Sequence, residues 1–361
     1  MSLRRRLRPT ALLALTAALV IAGCGSSDDG ATDDGPDGGG ASQEAPEGHY
    51  PVTFEHAHGS TTIESQPERV VTIGWITHDI VAELGVVPVA VPETWGGDDE
   101  GFSPWFRDQI TELGGEMPDI LNQPDGEPDF EQILALAPDV ILAPHSGVTE
   151  VQYERLSEIA PTIAYEETPW LSNTWPELTT LVGDALGVPE VAEEKIAQTQ
   201  ELIETSTAEY PNLEGASFLY GLGLTSGEES VGIYVASDPR VVFLRELGLV
   251  DSPSLAEISQ GFEDGSFVGG VSLEELDTLD TDLFVGWSND ADTTAYTLAH
   301  PTFTRWAPIA EGRYYLLEDN TLAMATNGPS GLSIAWSFED GFLEELSSAI
   351  DGGGVVRPAS N

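Results

Sequence analysis

The hydrophobic pattern changes period repeatedly between about residue 50 and about residue 350. VVTIGW (residues 70–75) and VVPVAVP (residues 86–92) are short, valine-rich apolar runs, which are typical of buried strands. HDIVAEL (residues 78–84) lies between them and places its apolar residues at helical spacing. Strands that alternate with helices in this way predict a mostly parallel α/β sheet.

A single long helix is predicted to divide this pattern into two halves. Pro189–Tyr210 begins with proline at a first helical position and places Ala192, Ile196 and Ile203 near one face. At 1.5 Å per residue this helix spans roughly 32 Å, which is enough to cross a small domain. A second series of strands and helices begins at Ala216. The pattern therefore predicts two lobes joined by one helix.

A helix-then-strand unit occurs twice. Asp129–Ala143 reads DFEQILALAPDVILA, and Ser272–Gly286 reads SLEELDTLDTDLFVG. Each begins with a capping residue that is followed three positions later by Gln or Glu, so each predicts the start of a helix with a capping box. Glu131 and Glu274 then occupy equivalent first-turn positions, where a negative charge suits the helix dipole. The repetition fits a pair of related lobes, although amphipathic patterns also recur by chance.

The first two dozen residues have the pattern of a targeting signal. A basic segment is followed by ALLALTAALVIAG, which is too short for a typical membrane span. The segment ends in IAGC and resembles the lipobox of bacterial lipoproteins, with Ile21 where leucine is more usual. We therefore expect a lipoprotein signal peptide and a lipidated Cys24, the only cysteine; an ordinary cleaved signal is the alternative. The Gly-, Ser- and Asp-rich stretch after Cys24 predicts a flexible acidic tether.

The charge is strongly asymmetric. The chain carries 62 Asp and Glu against 13 Lys and Arg, a formal net charge of −49, and four of the arginines lie in the signal segment. Such an excess of negative charge disfavours nucleic acid or an anionic membrane surface as a partner. It is typical of a protein that stays soluble in a salty medium.

Long stretches of the sequence resemble one family. FEHAHGSTTIESQPERVVTIGWITHDIVAELGVVPVAVPETWGG, then PDFEQILALAPDVILAPHSGVTEVQYERLSEIAPTIAYEETPW, the long helix and SLEELDTLDTDLFVGW follow one another as in ferric-siderophore substrate-binding lipoproteins of ABC importers. The same broad group includes cobalamin- and haem-binding proteins. Each motif alone is loose, but their order along nearly the whole folded part of the chain is specific.

The resemblance implies two Rossmann-like α/β lobes with mostly parallel sheets, joined by a single long helix, with the ligand in the cleft between them. It also implies delivery of the ligand to a membrane permease that is coupled to an ATPase. The predicted layout is a signal peptide (1–23), an acidic tether (24–48), an N-terminal lobe (49–175), a connecting helical segment (176–210), a C-terminal lobe (211–351) and a flexible tail (352–361). We expect a monomer, lipid-anchored at the extracytoplasmic face of the bacterial cell membrane.

Ligand-binding residues are expected in loops beyond the carboxyl ends of the strands, where open α/β sheets bind ligands. Large aromatic side chains and arginine donors suit a ferric siderophore, because its apolar cage exposes a ring of oxygens around the metal. The candidates are Trp75, Trp95, Trp105, Tyr165, Trp170, Tyr234, Arg240, Trp287 and Asn327. Core packing is the alternative for the aromatic residues, and a helix start is the alternative for Arg240.

The resemblance assigns a second role to Glu131 and Glu274. In this family one exposed glutamate on each lobe docks into arginine pockets of the permease, and these two positions match. The local alternative is that each glutamate only stabilises the start of its helix.

The ligand class follows from charge. Ferric tris-catecholates are strongly anionic, whereas ferric hydroxamates are neutral or cationic, so this acidic chain favours the hydroxamate type. We expect no cofactor, with ferric iron present only as a siderophore complex. Haem or cobalamin binding is the alternative within the same transporter group, and His78 or Tyr234 would then face a haem iron.

Two other functions, metal binding and catalysis, are less well supported by the residues. VTFEHAHGSTTI (residues 52–63) predicts a hairpin with His56 and His58 on one face, but two ligands do not make a metal site, so no metal centre is expected.

A secreted, lipid-anchored hydrolase is the alternative from another functional class. The chain contains no Gly-x-Ser-x-Gly, Walker or Gly-x-Gly-x-x-Gly motif, so we expect no enzyme.

Overall fold

The computed structural model describes residues 44–123, 127–263 and 265–359. The predicted signal peptide, Cys24 and most of the predicted tether lie outside these ranges. Within them, no helix is both long and apolar enough to cross a membrane. The described end of the predicted tether contacts the first lobe, where the Ala45 amide donates to Gln66 Oε1 at 3.0 Å.

The first lobe begins with the predicted hairpin, in which β1 (Val52–His56) and β2 (Gly59–Ile63) pair antiparallel. Five short parallel strands follow: β3 (Val70–Thr72), β4 (Ala90–Pro92), β5 (Asp119–Leu121), β6 (Val140–Leu142) and β7 (Thr162–Ile163). Their spatial order is β5-β4-β3-β6-β7. The direction of winding reverses between β3 and β6, and open α/β sheets bind ligands in the crevice at such a point.

Helices cover both faces of this sheet, so its central strands are buried throughout. The helices are α1 (Thr77–Glu83), α2 (Pro104–Glu112), α3 (Phe130–Leu136), α4 (Glu150–Ser157) and α5 (Trp175–Leu186). The predicted long helix is α6 (Pro189–Thr207), which starts at the expected proline and buries Ala192 and Ile203. It leads into the second lobe.

The second lobe is built on a larger mixed sheet. Its strands are β8 (Ser217–Leu222), β9 (Ser230–Tyr234), β10 (Val250–Asp251), β11 (Val268–Ser272), β12 (Leu283–Trp287), β13 (Tyr314–Leu317) and β14 (Val355–Arg357). The spatial order is β11-β9-β8-β12-β13-β14, and β10 also pairs with β8. Only β9 runs antiparallel to its neighbours, so β11 has the same direction as β8.

The second-lobe helices are α7 (Pro239–Glu246), α8 (Leu255–Ile258), α9 (Ala291–Ala299), α10 (Ala307–Ala310), α11 (Asn320–Asn327), α12 (Gly331–Glu339) and α13 (Phe342–Ile350). Two of them reach back to the first lobe. Met324 and Ala325 on α11 share an apolar cluster with Phe102 and Phe106 of the first lobe, and Trp336 on α12 packs against Trp105 at 5.2 Å. The lobes are thus held by α11 and α12 as well as by α6.

The predicted fold class is confirmed: two α/β lobes with mainly parallel sheets are joined by one long helix. The C-terminus differs from the prediction. A flexible tail is predicted for residues 352–361, but Val355–Arg357 form β14, which pairs with β13 in the second-lobe sheet. Arg357 also forms an ion pair with Glu345 of α13 at 3.1 Å. Short strands of this kind gain their stability from pairing partners that are distant in sequence.

The repeated unit is also only partly as predicted. Asp129 caps α3 by accepting hydrogen bonds from the amides of Glu131 and Gln132. The reciprocal bond of a capping box is missing, because the Gln132 side chain instead bonds the backbone of Ile120 and Asn122. In the second unit a single 3₁₀ turn, Leu276–Thr278, replaces the predicted α-helix. The two units are therefore similar in sequence but differ in secondary structure.

A buried carboxylate lies where α1 meets α12. Glu83 is only 9% exposed, and a Cβ added at Gly331 would lie 2.3 Å from Glu83 Oε1. Burial raises the pKa of Glu83 to about 7; the nearby Asp79 adds to the rise, and Lys195 opposes it. The folded protein therefore holds this proton at pH values where an unfolded chain has already lost it.

Glu83→Gln is expected to raise the free energy of unfolding at pH 8 by roughly 3 kcal/mol, because the wild-type protein must bury a charge there. Near pH 4.5 the two proteins should be equally stable, since Glu83 is then protonated in the folded state. Urea unfolding at pH 4.5, 6 and 8 measures the difference. Glu158→Gln, at an exposed position after α4, is the matched control. A pH-independent difference between Glu83→Gln and wild type would contradict the assignment.

Candidate functional site

The carboxyl ends of the first-lobe strands carry side chains that face the second lobe. Trp75 lies three residues after β3, His145 lies three residues after β6, and Trp170 and Leu171 follow β7. Together they form one wall of a cavity between the lobes. The indoles of Trp75 and Trp170 pack with ring centroids 5.1 Å apart, and His145 meets Trp170 edge-on at 5.7 Å. This wall is aromatic and largely apolar.

The second lobe supplies the opposite wall. Its members are Asp238, Pro239 and Arg240 at the start of α7, Phe267 before β11, and Asn327 at the end of α11. The enclosed volume is about 260 Å³. The cavity thus combines aromatic surface from both lobes with one guanidinium and one amide.

Two polar donors at this wall have no protein partner. Among the described residues, Arg240 Nε and Asn327 Nδ2 are buried and lack a hydrogen bond, although their side chains are held by other contacts. Asn327 Oδ1 accepts from the Tyr220 hydroxyl at 3.2 Å, and the Arg240 guanidinium lies over the Tyr234 ring at 4.3 Å. A buried donor without an acceptor costs about 1–3 kcal/mol. Two of them at one cavity indicate a ligand with acceptor oxygens.

His145 is neutral in this environment. Burial, together with the positive charge of Arg240, lowers the pKa of His145 to about 4. The imidazole is only 3% exposed. At neutral pH it therefore contributes no charge to the cavity.

Strained backbone and close approaches surround the cavity. Ile76 and Trp170 have φ values of 52° and 66°, which non-glycine residues rarely adopt, and such strain concentrates at functional sites. A Cβ at Gly74 would lie 2.2 Å from the His145 carbonyl oxygen, and one at Gly147 would lie 2.7 Å from Trp170 Nε1. The aromatic wall can take this shape only because these two positions carry no side chain.

Trp95 and Trp287 meet beside the cavity rather than lining it. Trp95 comes from the first lobe and Trp287 ends β12 of the second, and their ring centroids are 4.8 Å apart. The Trp287 ring also lies 5.7 Å from Arg240 Cζ, which links the pair to the cavity wall. Next to it, the Thr321 hydroxyl donates to the Gly96 carbonyl at 2.6 Å. The two lobes are in direct contact at this side of the cleft.

Trp105 and Tyr165 are not in the cavity. Trp105 is 6% exposed and donates from Nε1 to Asp79 Oδ2 at 2.7 Å; the same oxygen accepts from Ser330 Oγ at 3.0 Å. Tyr165 packs against the His58 ring of the hairpin. The structure gives both aromatic residues packing roles, which is the alternative stated above for each candidate.

The other histidine candidates are also engaged away from the cleft. His56 and His58 bond Thr61 Oγ1 and the Val148 carbonyl, at 3.0 and 2.8 Å. His78 is buried beside Asp79, with Nε2 3.4 Å from Oδ1, and does not line the cavity. Across the described part of the chain, no group of three or more His, Cys, Asp or Glu is placed to hold a metal ion.

Glu131 and Glu274 are both exposed. Glu131 lies in the first turn of α3, and Glu274 lies two residues after the end of β11. Because β11 runs parallel to β8, Glu274 lies at the carboxyl edge of its sheet. The start of α3 follows β5 and lies at the corresponding edge of the first-lobe sheet.

A larger cavity lies elsewhere, between α6 and the second lobe. Its volume is about 720 Å³, and it is lined by Trp175, Ile203 and Glu246, among others. Its indole donor is already satisfied, because Trp175 Nε1 donates to Glu246 Oε2 at 2.7 Å. It also lies away from the sheet reversal between β3 and β6. We therefore place the candidate site in the smaller cavity between the lobes.

Sequence reasoning missed His145, Leu171, Asp238 and Phe267 as cavity residues. His145 could have been predicted by the rule that selected Trp75, because each residue follows a central buried strand by three positions. Phe267 precedes its strand and approaches the cavity only because β11 is antiparallel to β9, which no local pattern indicates.

A sequence model of the periplasmic binding protein family matches residues 70–321. The chain belongs to this family.

Solved structures of other proteins in this class agree with the fold. This periplasmic binding protein is similar to PiaA of Streptococcus pneumoniae TIGR4 in complex with ferrichrome, with a TM-score of 0.76 and 32% identity; the match covers 83% of this chain and 99% of PiaA. A periplasmic solute binding protein of Mycobacterium smegmatis matches with a TM-score of 0.67 and 28% identity, over 83% of this chain and 99% of that one.

A curated relative is the Fe(3+)-citrate-binding protein YfmC of Bacillus subtilis (strain 168). It is 25% identical to this periplasmic binding protein over 309 residues, which is 85% of this chain and 88% of YfmC.

Proposed function

We propose that this periplasmic binding protein binds a ferric siderophore, of the hydroxamate type, and delivers it to an ABC-type permease for iron uptake. The observation that carries the proposal is the pair of unpaired buried donors, Arg240 Nε and Asn327 Nδ2, at an aromatic cavity between the lobes. The oxygens around ferric iron in a siderophore are acceptors for such donors. Ferrichrome, which is bound in the similar PiaA structure, is a ferric hydroxamate, and ferric citrate, for which one relative is named, supports the broader class of ferric chelates.

The aromatic wall suits the organic part of such a complex. Trp75, Trp170 and Phe267 line the cavity, and their rings would pack against the organic part of the ligand. The site then holds the ligand as a preformed complex and carries out no reaction on it, so we propose a receptor and not an enzyme.

The ligand requires more room than the cavity provides in this state. Ligand sites commonly have about 300–1,000 Å³, whereas this cavity has about 260 Å³. A second cavity of about 260 Å³ is also lined by Trp75 and Trp170. We expect binding to part the lobes or to displace this indole pair.

Delivery requires a place at the membrane. We propose that lipidated Cys24 anchors a monomer at the extracytoplasmic face and that residues 24–48 act as a tether. Glu131 and Glu274, one on each lobe and each near the carboxyl edge of its sheet, would dock into the permease. Their exposure supports this role, since a docking carboxylate has to be accessible.

Titration of the purified protein with ferrichrome, ferrioxamine B, ferric enterobactin, haem and cobalamin tests the ligand class. We expect the ferric hydroxamates to quench tryptophan fluorescence at stoichiometric concentration, because Trp75 and Trp170 line the site. Iron-free hydroxamates are the control for the metal complex. Quenching by haem or by cobalamin alone would refute the siderophore assignment; haem is the stronger rival, since neutral His145 faces the cavity.

A further inference from the structure

The positive charge of Arg240 does not act alone in the cleft. Arg240 Nη1 donates to both oxygens of Asp238, at 3.0 and 2.8 Å. Both residues line the cavity, yet Arg240 is 7% exposed and Asp238 is 1% exposed. The two opposite charges therefore lie within hydrogen-bond distance of each other, in a place that solvent screens weakly.

No other residue that lines the cavity adds a charge to the Arg240–Asp238 ion pair. Apart from this pair, the lining consists of apolar side chains, one amide and one imidazole. The imidazole of His145 is neutral at physiological pH. The wall that a ligand meets thus combines a guanidinium donor with a net charge of zero.

Asp238 is fixed in this position by the backbone. It is the N-cap of α7, and its Oδ1 accepts from the Arg240 amide at 3.0 Å. The carboxylate cannot rotate away from the guanidinium without leaving that helix end uncapped, which costs about 0.5–2 kcal/mol. An approaching anion therefore meets the guanidinium with its counter-charge in place.

We propose that Asp238 is a specificity-determining residue that sets the charge of the ligand. It neutralises Arg240, so the site accepts ferric complexes with no net charge and disfavours polyanionic ones. Three monoanionic hydroxamates around Fe³⁺ give a neutral complex, whereas three dianionic catecholates give a charge of −3. This inference rests on the proposed function and adds to it the residue that discriminates between ferric siderophores of different charge.

Asp238→Asn removes the negative charge but preserves the start of α7, because asparagine has the same shape and is an equally good N-cap. Isothermal titration with ferrichrome and with ferric enterobactin, in low and in high salt, measures the two affinities. We expect Asp238→Asn to bind ferric enterobactin at least about tenfold more tightly than wild type in low salt, and less so in high salt. The gain in affinity for ferrichrome should be clearly smaller than the gain for ferric enterobactin, since a neutral complex senses the removed charge more weakly than a trianion does.

Asp251→Asn is the matched control. Asp251 also pairs with an arginine, Arg245 on the same helix, at 3.3 Å, but it does not line the cavity. The Asp251→Asn variant removes the same charge from the protein and should leave the affinities for ferrichrome and ferric enterobactin unchanged. Equal gains in both variants, no gain in Asp238→Asn, or wild-type binding of ferric enterobactin as tight as that of ferrichrome would overturn the inference. If wild type binds neither hydroxamates nor ferric enterobactin, the proposed function itself fails.

Discussion

Arg240→Gln is expected to weaken binding of a ferric hydroxamate by about 10- to 100-fold, because a hydrogen bond from a charged donor contributes roughly 1.5–3 kcal/mol. Glutamine can place its amide nitrogen close to the position of Arg240 Nε, which is buried without a partner, but it lacks the positive charge and the two Nη groups of the guanidinium. The change also leaves Asp238 buried without its counter-charge, so a lower free energy of unfolding is expected as well. Calorimetric titration with ferrichrome measures the affinity, and urea unfolding confirms that the variant is folded.

Arg245→Gln is the matched control for this experiment. Arg245 lies on the same helix, α7, and is paired with Asp251 away from the cavity. The double variant Asp238→Asn, Arg240→Gln then removes the ion pair without leaving a buried charge. It should be more stable than Arg240→Gln but should bind ferrichrome no better. Wild-type affinity in either Arg240 variant would show that the guanidinium does not contact the ligand.

Reversing the charge at Glu131 and Glu274 together is expected to reduce uptake of a ferric siderophore by cells to the background level. Two interfacial ion pairs would become two like-charge contacts, and each such contact costs several kcal/mol. Ligand affinity of the purified Glu131→Lys, Glu274→Lys protein should remain within about twofold of wild type, because both side chains lie on the surface and neither lines the cavity. Uptake of ⁵⁵Fe-labelled complex by a strain that carries only the variant measures the effect.

The control for that variant is Glu150→Lys with Glu257→Lys. These residues are exposed, lie in the first turns of α4 and α8, and carry the same charge, one on each lobe. The control should transport normally, which separates docking from a general change of surface charge. Unimpaired uptake in the Glu131, Glu274 double variant would exclude both residues as docking points and favour their local role at the starts of the two units.

Much of the fold was predictable because its signals are local. The valine-rich runs before Trp75 and after Glu83 form β3 and β4, and the uninterrupted amphipathic stretch after Pro189 forms α6. The 3₁₀ turn at Leu276–Thr278 was not predictable in this way, because its amphipathic pattern suits a helix as well. The strand at Val355–Arg357 depends on pairing with β13, some forty residues earlier in the chain.

The site was predictable to the extent that strand ends determine it. Trp75, Trp170, Arg240 and Asn327 were selected as loop residues after strands or at helix ends, and the structure brings all four to one cavity. Trp105 was selected by the same rule, but its indole turns inward to Asp79, a buried acceptor on α1. The direction of a side chain depends on which polar partner lies nearby in three dimensions, and loop composition does not contain that information.

The contact between Trp95 and Trp287 contributes an optical signal that depends on how the two lobes are placed. The two indoles belong to different lobes and lie 4.8 Å apart at an interplanar angle of 67°. Indole transitions at this separation couple strongly, and the coupling decays steeply as the rings separate. Parting of the lobes is therefore expected to alter the far-ultraviolet circular dichroism of the native protein, where the strongest indole transition lies, so that the movement can be followed in solution without any attached label.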